Sequence, residues 1–226
     1  MKCSHCSTEI EMTFCPKCGQ EYRGESLTFI TILKDYFNSF FSLDGSLLVD
    51  IREMFARPGQ YVFNYWNGFR RGQSSPNRIL VLSTLFVGLA LLISDESQFL
   101  GWQMQLENFS APLFLLLLLL PTLTVASYLA YLSYKRSLAE HLVLNCYVLG
   151  TWMIVLSPLS VLTDVLDLTW LNSFFQIVIA ATPFIWTARV FHEKWWKTAL
   201  LMLLHLGICA LFIAALAYWL QSMSST

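Results

Sequence analysis

The chain has 226 residues, 56% of them hydrophobic and only 13% charged, with a formal net charge of −1. Soluble domains average about a quarter charged residues, so a chain of this length with so little polar surface does not stay in water, and its apolar content equally excludes disordered and collagen-like chains. Six cysteines are too few for a disulfide scaffold at this length.

Residues 1–24 predict a zinc ribbon. Cys3-Ser-His-Cys6 is followed by Cys15-Pro-Lys-Cys18-Gly19, two C-x2-C knuckles that together offer four thiolates. That set suits one tetrahedral zinc per chain. The intervening Ser7 to Phe14 suffices for a minimal hairpin, with Thr8 to Met12 as its strand-like part. On a reducing side of the membrane, metal binding is favoured over disulfides. A dithiol redox pair, an iron site and unliganded cysteines are the competing readings. Four protein ligands leave no open position for water, so the expected role of Cys3, Cys6, Cys15 and Cys18 is structural, not catalytic. His5 lies inside a knuckle and is expected to face solvent, while Cys146 and Cys209 fall in apolar runs as packing thiols.

Residues 25–78 predict amphipathic helices at the membrane interface. Ser26 can cap a helix to about Phe41, with Phe29, Ile30, Leu33, Phe37, Phe40 and Phe41 at helical spacing. A second helix is expected from Ser46 to Ala56, presenting Leu47, Leu48, Ile51 and Phe55 on one side. Arg57-Pro58-Gly59 breaks it, and Gln60 to Phe69 follows with Tyr61, Val62, Tyr65, Trp66 and Phe69. Either these aromatics enter the interface while Arg57, Arg70, Arg71 and Arg78 meet lipid phosphates, or the helices pack on the cytoplasmic ends of the spans. Nucleic acid is not expected as a partner, because acidic residues here nearly match the basic ones.

Residues 79–220 predict five transmembrane helices, at about 79–95, 111–134, 141–163, 168–190 and 196–220, with a tail at 221–226. A bilayer core of ~30 Å needs roughly 20 apolar residues in a helix. The first block is short and must borrow from Pro76 to Arg78 or from Asp95 to Gln98. The runs are continuous rather than alternating, which excludes a β-barrel. Five spans place all 14 Lys and Arg residues on one side. Positive charge stays cytoplasmic, so the N-terminus is expected inside and the C-terminus outside. A polar, cysteine-bearing N-terminus does not read as a cleavable signal, leaving the first span as the insertion signal.

Within the spans, His205 is the one central ionisable residue, and Asn145, Asn172 and Gln176 are the other notable polar groups. A lone intramembrane histidine more often bonds a neighbouring helix than carries protons. Glu140-His141 and His192-Glu193 point apart as adjacent helical residues do, though together with Arg189 they can converge. Pro121, Pro158 and Pro183 can kink their helices. No nucleophile elbow, phosphate loop or helical HExxH is present.

The head and the following motifs resemble an uncharacterised bacterial family of zinc-ribbon-headed multi-pass membrane proteins, a domain of unknown function. Cys3, Cys6, Phe14, Cys15, Cys18, Gly19, Gln20, Arg57, Pro58, Gly59, Gly68, Arg70 and Pro76 carry the resemblance, over about the first eighty residues. His5 and Ser7 flank Cys6 where the family typically has Asn or Gly beside that cysteine. The resemblance implies a bacterial inner-membrane location and no known activity. Five spans with the N-terminus inside are also similar in architecture to Yip1-type membrane proteins.

The sequence reading is therefore an all-α integral membrane protein: a five-helix bundle with cytoplasmic amphipathic helices and a small zinc ribbon. Its expected role is a non-enzymatic adaptor or scaffold that docks a cytoplasmic protein or senses anionic membrane lipid. A small-solute or lipid transporter is the alternative, and an intramembrane enzyme acting on lipid the third reading.

Overall fold

Pro58 opens a helix as well as ending one. The structure is a computed structural model describing residues 8–9, 15–17, 30, 47–68, 73–93, 98–99, 102–103, 111–166, 168, 170–191 and 194–224. Helix α1 (Leu47–Ala56) stops one residue before α2 (Pro58–Trp66) begins. Proline suits the first helical position, where its missing N–H would be unpaired anyway and its fixed φ is already helical. Gly68, at φ 80, then turns the chain out of α2, a conformation that costs glycine little.

Five longer helices follow the apolar blocks: α3 (Pro76–Ile93), α4 (Ala111–Ala130), α5 (Leu138–Val165), α6 (Trp170–Val190) and α7 (Trp195–Ser224). Three contain stretches long and apolar enough to cross a membrane, namely Pro76–Ile93, Leu138–Thr163 and Trp195–Ala215. Helix α3 gains its length upstream, from Pro76 to Arg78. Helix α4 ends earlier than the hydropathy suggests, and a 3-10 turn at Leu132–Tyr134 closes with Lys135 in the left-handed region. The expected tail is partly helical, since α7 runs on to Ser224. A two-residue antiparallel pair, Gln98–Phe99 with Trp102–Gln103, interrupts the α3–α4 connection.

Helix α5 is the mostly buried centre of the bundle, with α3, α4 and α6 packed around it and α7 against α4 and α6. Gly150 is where α3 comes closest. A Cβ there would sit 2.7 Å from Ile79 Cγ2 and 3.2 Å from the Ile79 backbone. Small residues at helix contacts allow such approach. Outward faces remain apolar: Leu85, Leu89 and Leu92 on α3, Phe174, Ile177 and Ile185 on α6, and Leu203, Leu211, Phe212 and Ile213 on α7 are all exposed. So large a contiguous apolar surface is not that of a protein in water.

One end of the bundle gathers the start of α3, the end of α4, the start of α5 and the end of α6. Ile79, Ala130, Tyr131, Val143, Leu144, Val190 and Phe191 form a single core cluster there. Helices α1 and α2 join it through Met54, Tyr61, Val62, Tyr65 and Trp66. The aromatic face of α2 is therefore satisfied by the protein's own helices, which decides between the two expectations for Tyr61, Val62, Tyr65 and Trp66. For α1 the expected side is met in part: Ile51 and Phe55 pack against the bundle. Leu48 is 80% exposed, whereas Asp50 and Met54 face inward. Of the helix expected at 26–41 only Ile30 is described; it is helical and exposed.

Candidate functional site

Three aromatic donors fasten α1, α2 and the segment before α3 to the bundle. Trp186 Nε1 on α6 donates to the Met54 carbonyl at 3.1 Å, and Trp66 Nε1 on α2 donates to the Glu140 carbonyl at 3.1 Å. Tyr147 Oη on α5 donates to the Ser74 carbonyl at 2.7 Å. Buried aromatic side chains with a polar tip suit this use, because each covers a large apolar area and still reaches a partner. Asp50 closes the arrangement. Its carboxylate accepts the Tyr61 hydroxyl at 2.8 Å and the Ser74 N–H at 3.3 Å. Burial, and then the Asp50 charge, push the Tyr61 phenol well above its ordinary range, so it stays a donor. Phe55, Trp152 and Trp186 pack edge to face nearby, with ring centroids 5.0 to 5.3 Å apart. Trp152 is thus a packing residue.

Glu140 and His141 point apart, and Arg189 joins neither. Ser137 N donates to Glu140 Oε2 at 2.7 Å while Glu140 N donates to Ser137 Oγ at 3.2 Å, a capping box that starts α5. Arg136 Nη1 meets Glu140 Oε1 at 2.8 Å, and its guanidinium lies over the Trp66 ring, 4.8 Å from the centroid. His141 instead turns into the bundle. Its Nδ1 shares a hydrogen bond with Ser127 Oγ at 3.1 Å, and Asn145 Nδ2 donates to the same hydroxyl at 3.0 Å.

His205 lies fully buried on α7, edge-on to Tyr131 at 6.1 Å and to Phe184 at 4.7 Å. Phe191 stacks near both Tyr131 and His141, at 4.6 and 5.9 Å. The Leu123 carbonyl lies beside the His205 ring but outside hydrogen-bond geometry. Both His205 ring nitrogens, Tyr131 Oη, His141 Nε2 and Asn145 Oδ1 make no hydrogen bond among the described residues. Buried polar atoms are nearly always paired, so an accumulation of this kind marks where a water or polar guest belongs.

A cleft of about 370 Å³ opens where the α1–α2 corner meets the end of α6 and the start of α7. Arg57, Gln60, Arg189 and Thr198 supply its polar lining, and Ala56, Pro58 and Ala188 its walls. Among the described residues no carboxylate lines it. Arg189 Cζ stands 5.6 Å from the Trp186 ring centroid.

No family model, curated protein or solved structure matches the chain.

The structure places the sequence-predicted site residues unevenly. Arg57 lines the cleft, but Arg70 and Arg71 lie outside the described residues. Arg78 sits in the first turn of α3, its N–H donating to Ser75 Oγ at 3.3 Å. Cys3, Cys6 and Cys18 also lie outside them, and no group of three or more His, Cys, Asp or Glu side chains gathers as a metal site among the described residues. Cys15 is buried and followed by a turn at Pro16–Lys17, and Glu9 forms a β-bridge. Cys146 and Cys209 are buried, consistent with packing. Asn172 and Gln176 are helical, and their side chains lie outside the described set.

Sequence reasoning missed Asp50, Ser127, Tyr131 and Thr198. Asp50 carried one signal: a lone acid on the apolar side of an amphipathic helix. Ser127 and Tyr131 carried none, because what makes them notable is contact with α5 and α7.

Proposed function

We propose that the chain is a multi-pass membrane adaptor of the bacterial inner membrane, with five spans, a cytoplasmic N-terminus and an outer C-terminus. Helices α4 (20 residues) and α6 (21 residues) are counted as spans alongside the three, since both occupy apolar blocks between loops of opposite character, with Arg189 in the last turn of α6 as the one charge. The zinc ribbon held by Cys3, Cys6, Cys15 and Cys18 sits at the cytoplasmic end and stabilises a segment too short to bury its own core. Four thiolates leave the metal no open position, and the reading is non-enzymatic.

The observation that carries this reading is the fastening of α1, α2 and the segment before α3 to the bundle by Trp66, Tyr147 and Trp186. A platform so attached moves with the spans. Load or occupancy on α1 or α2 is passed to the membrane domain, which is what an adaptor requires. The exposed Leu48 and Val49 on α1 give a cytoplasmic protein an apolar foothold. Mild-detergent purification with crosslinking and mass spectrometry tests the proposal. A stoichiometric soluble partner crosslinked to α1 or the head supports it, and a chain that co-purifies with lipid alone, at any crosslinker length, contradicts it.

Transport is the second reading, favoured by the unpaired polar atoms of Tyr131, His141, Asn145 and His205 inside the bundle. Uptake of a solute by proteoliposomes that is abolished in His205→Phe, with the variant still folded, would put transport first.

A further inference from the structure

We infer that the Arg57–Arg189 cleft is a binding site for the phosphate of an anionic phospholipid headgroup. The inference rests on the proposed placement of this end of the bundle at the cytoplasmic leaflet. Two guanidiniums reach one cleft from elements far apart in sequence, the α1–α2 corner and the end of α6. Guanidinium forks match phosphate oxygens bidentately. Among the described residues no carboxylate pairs with either arginine, and the Arg189 guanidinium lies over the Trp186 ring. Thr198 and Gln60 add hydrogen-bonding side chains on the opposite walls. At the start of α2, Arg57 provides no side-chain cap and Pro58 has no N–H, so the first-turn N–H groups of Gly59 and Gln60 add partial positive charge at the same place.

The surface beneath the cleft decides between a lipid and a soluble phosphate. Ile185 and Phe174 lie four and fifteen residues before Arg189 on α6, within about 60° of it around the helix, so these three share one face, and Ile177 lies at its edge. Ile185, Ile177 and Phe174 are all exposed. An apolar stripe therefore runs down the helix directly below the charged cleft. A soluble phosphate has no use for it, whereas acyl chains hanging from a headgroup would lie against it. Trp195 and Trp196, both exposed at the adjoining start of α7, are the residues that a bilayer interface selects.

The test uses the full-length protein in nanodiscs of phosphatidylcholine containing a minor share of phosphatidylglycerol, with lipid retention read by native mass spectrometry. Wild type should retain phosphatidylglycerol in preference to phosphatidylcholine. Arg57→Gln and Arg189→Gln should each weaken that retention about fivefold, the loss of one basic contact with an anionic headgroup. Lys135→Gln removes an equal charge from a loop away from the cleft and should leave it unchanged. Arg57→Lys and Arg189→Lys keep the charge and guard against a folding artefact; each should retain more phosphatidylglycerol than its Gln counterpart. Equal retention by wild type and both Gln variants would overturn the inference. So would displacement of phosphatidylglycerol by inorganic phosphate at millimolar concentration, which would assign the cleft to a soluble ligand. Failure to find a protein partner would sink the adaptor reading and leave this retention pattern untouched.

Discussion

The Asp50 carboxylate lies 2.8 Å from the Tyr61 hydroxyl, buried between two helices separated by a single residue. This contact holds the α1–α2 corner at the angle that brings Arg57 to the cleft and lets Tyr61 and Tyr65 pack edge-on to Tyr147, at 5.1 and 5.6 Å. Asp50 also accepts the Ser74 N–H, and Ser74 in turn accepts from Tyr147. Platform, connecting segment and central helix thus share one hydrogen-bonded chain.

Asp50→Ala should destabilise the protein by about 2–3 kcal/mol, because it leaves the Tyr61 hydroxyl and the Ser74 N–H buried without an acceptor. Tyr61→Phe should cost less, since only the carboxylate loses one of its donors. Thermal unfolding in detergent, followed by tryptophan fluorescence, gives the order. A milder effect for Asp50→Ala than for Tyr61→Phe would show that the carboxylate is not the hub.

The same pair predicts an alkaline limit. The Tyr61 phenol titrates higher folded than unfolded, so the folded state holds its proton more tightly. Its contribution is fully present below the unfolded phenol value of about 10 and falls as pH rises beyond it. Stability should therefore be flat with respect to this group from neutral pH to about pH 9 and decline above pH 10. The decline should be shallower in Tyr61→Phe, and identical alkaline profiles for the two proteins would refute the assignment.

Gly150 should not tolerate a side chain. A Cβ 2.7 Å from Ile79 Cγ2 could be relieved by rotating that side chain, but the Ile79 backbone at 3.2 Å would have to move as well. Gly150→Ala should cost on the order of 1–3 kcal/mol and Gly150→Leu more. Ile79→Ala should partly rescue Gly150→Ala, and no rescue in a double-mutant cycle would locate the damage elsewhere.

Purified protein should contain one zinc per chain by elemental analysis, and Cys15→Ser should lose it. Stoichiometric iron, or four head thiols that titrate freely in untreated protein, would count against the ribbon.

Helix positions were legible in the sequence because hydropathy is a local property. All five apolar blocks contain a long helix, and the Pro58 break, the Pro76 extension and the Ser137–Glu140 cap all have short-range signals. The inward face of α1 was legible at Ile51 and Phe55 but not at Asp50. Periodicity favours Leu48 over Asp50, and only the distant Tyr61 and Ser74 make a buried carboxylate tolerable there. The polar cluster escaped for the same reason. His141, Asn145 and His205 each stood out singly, but with Ser127 and Tyr131 they become a site only when α4, α5 and α7 pack together. Arg57 was singled out for its charge, yet its partner in the cleft is Arg189, more than a hundred residues away, not Arg78.

The threading of the chain bears most directly on the whole account, because the platform, the cleft and the ribbon must share the cytoplasmic side. Paired reporters, one that is active only in the periplasm and one only in the cytoplasm, should be fused after Thr226 and within the Lys135–Arg136 loop. Five spans predict a periplasmic signal at Thr226 and a cytoplasmic one in the loop. A cytoplasmic C-terminus would contradict the account, since an even total of spans would leave three before α7 and put its basic start across the membrane from Arg52, Arg57 and Arg78.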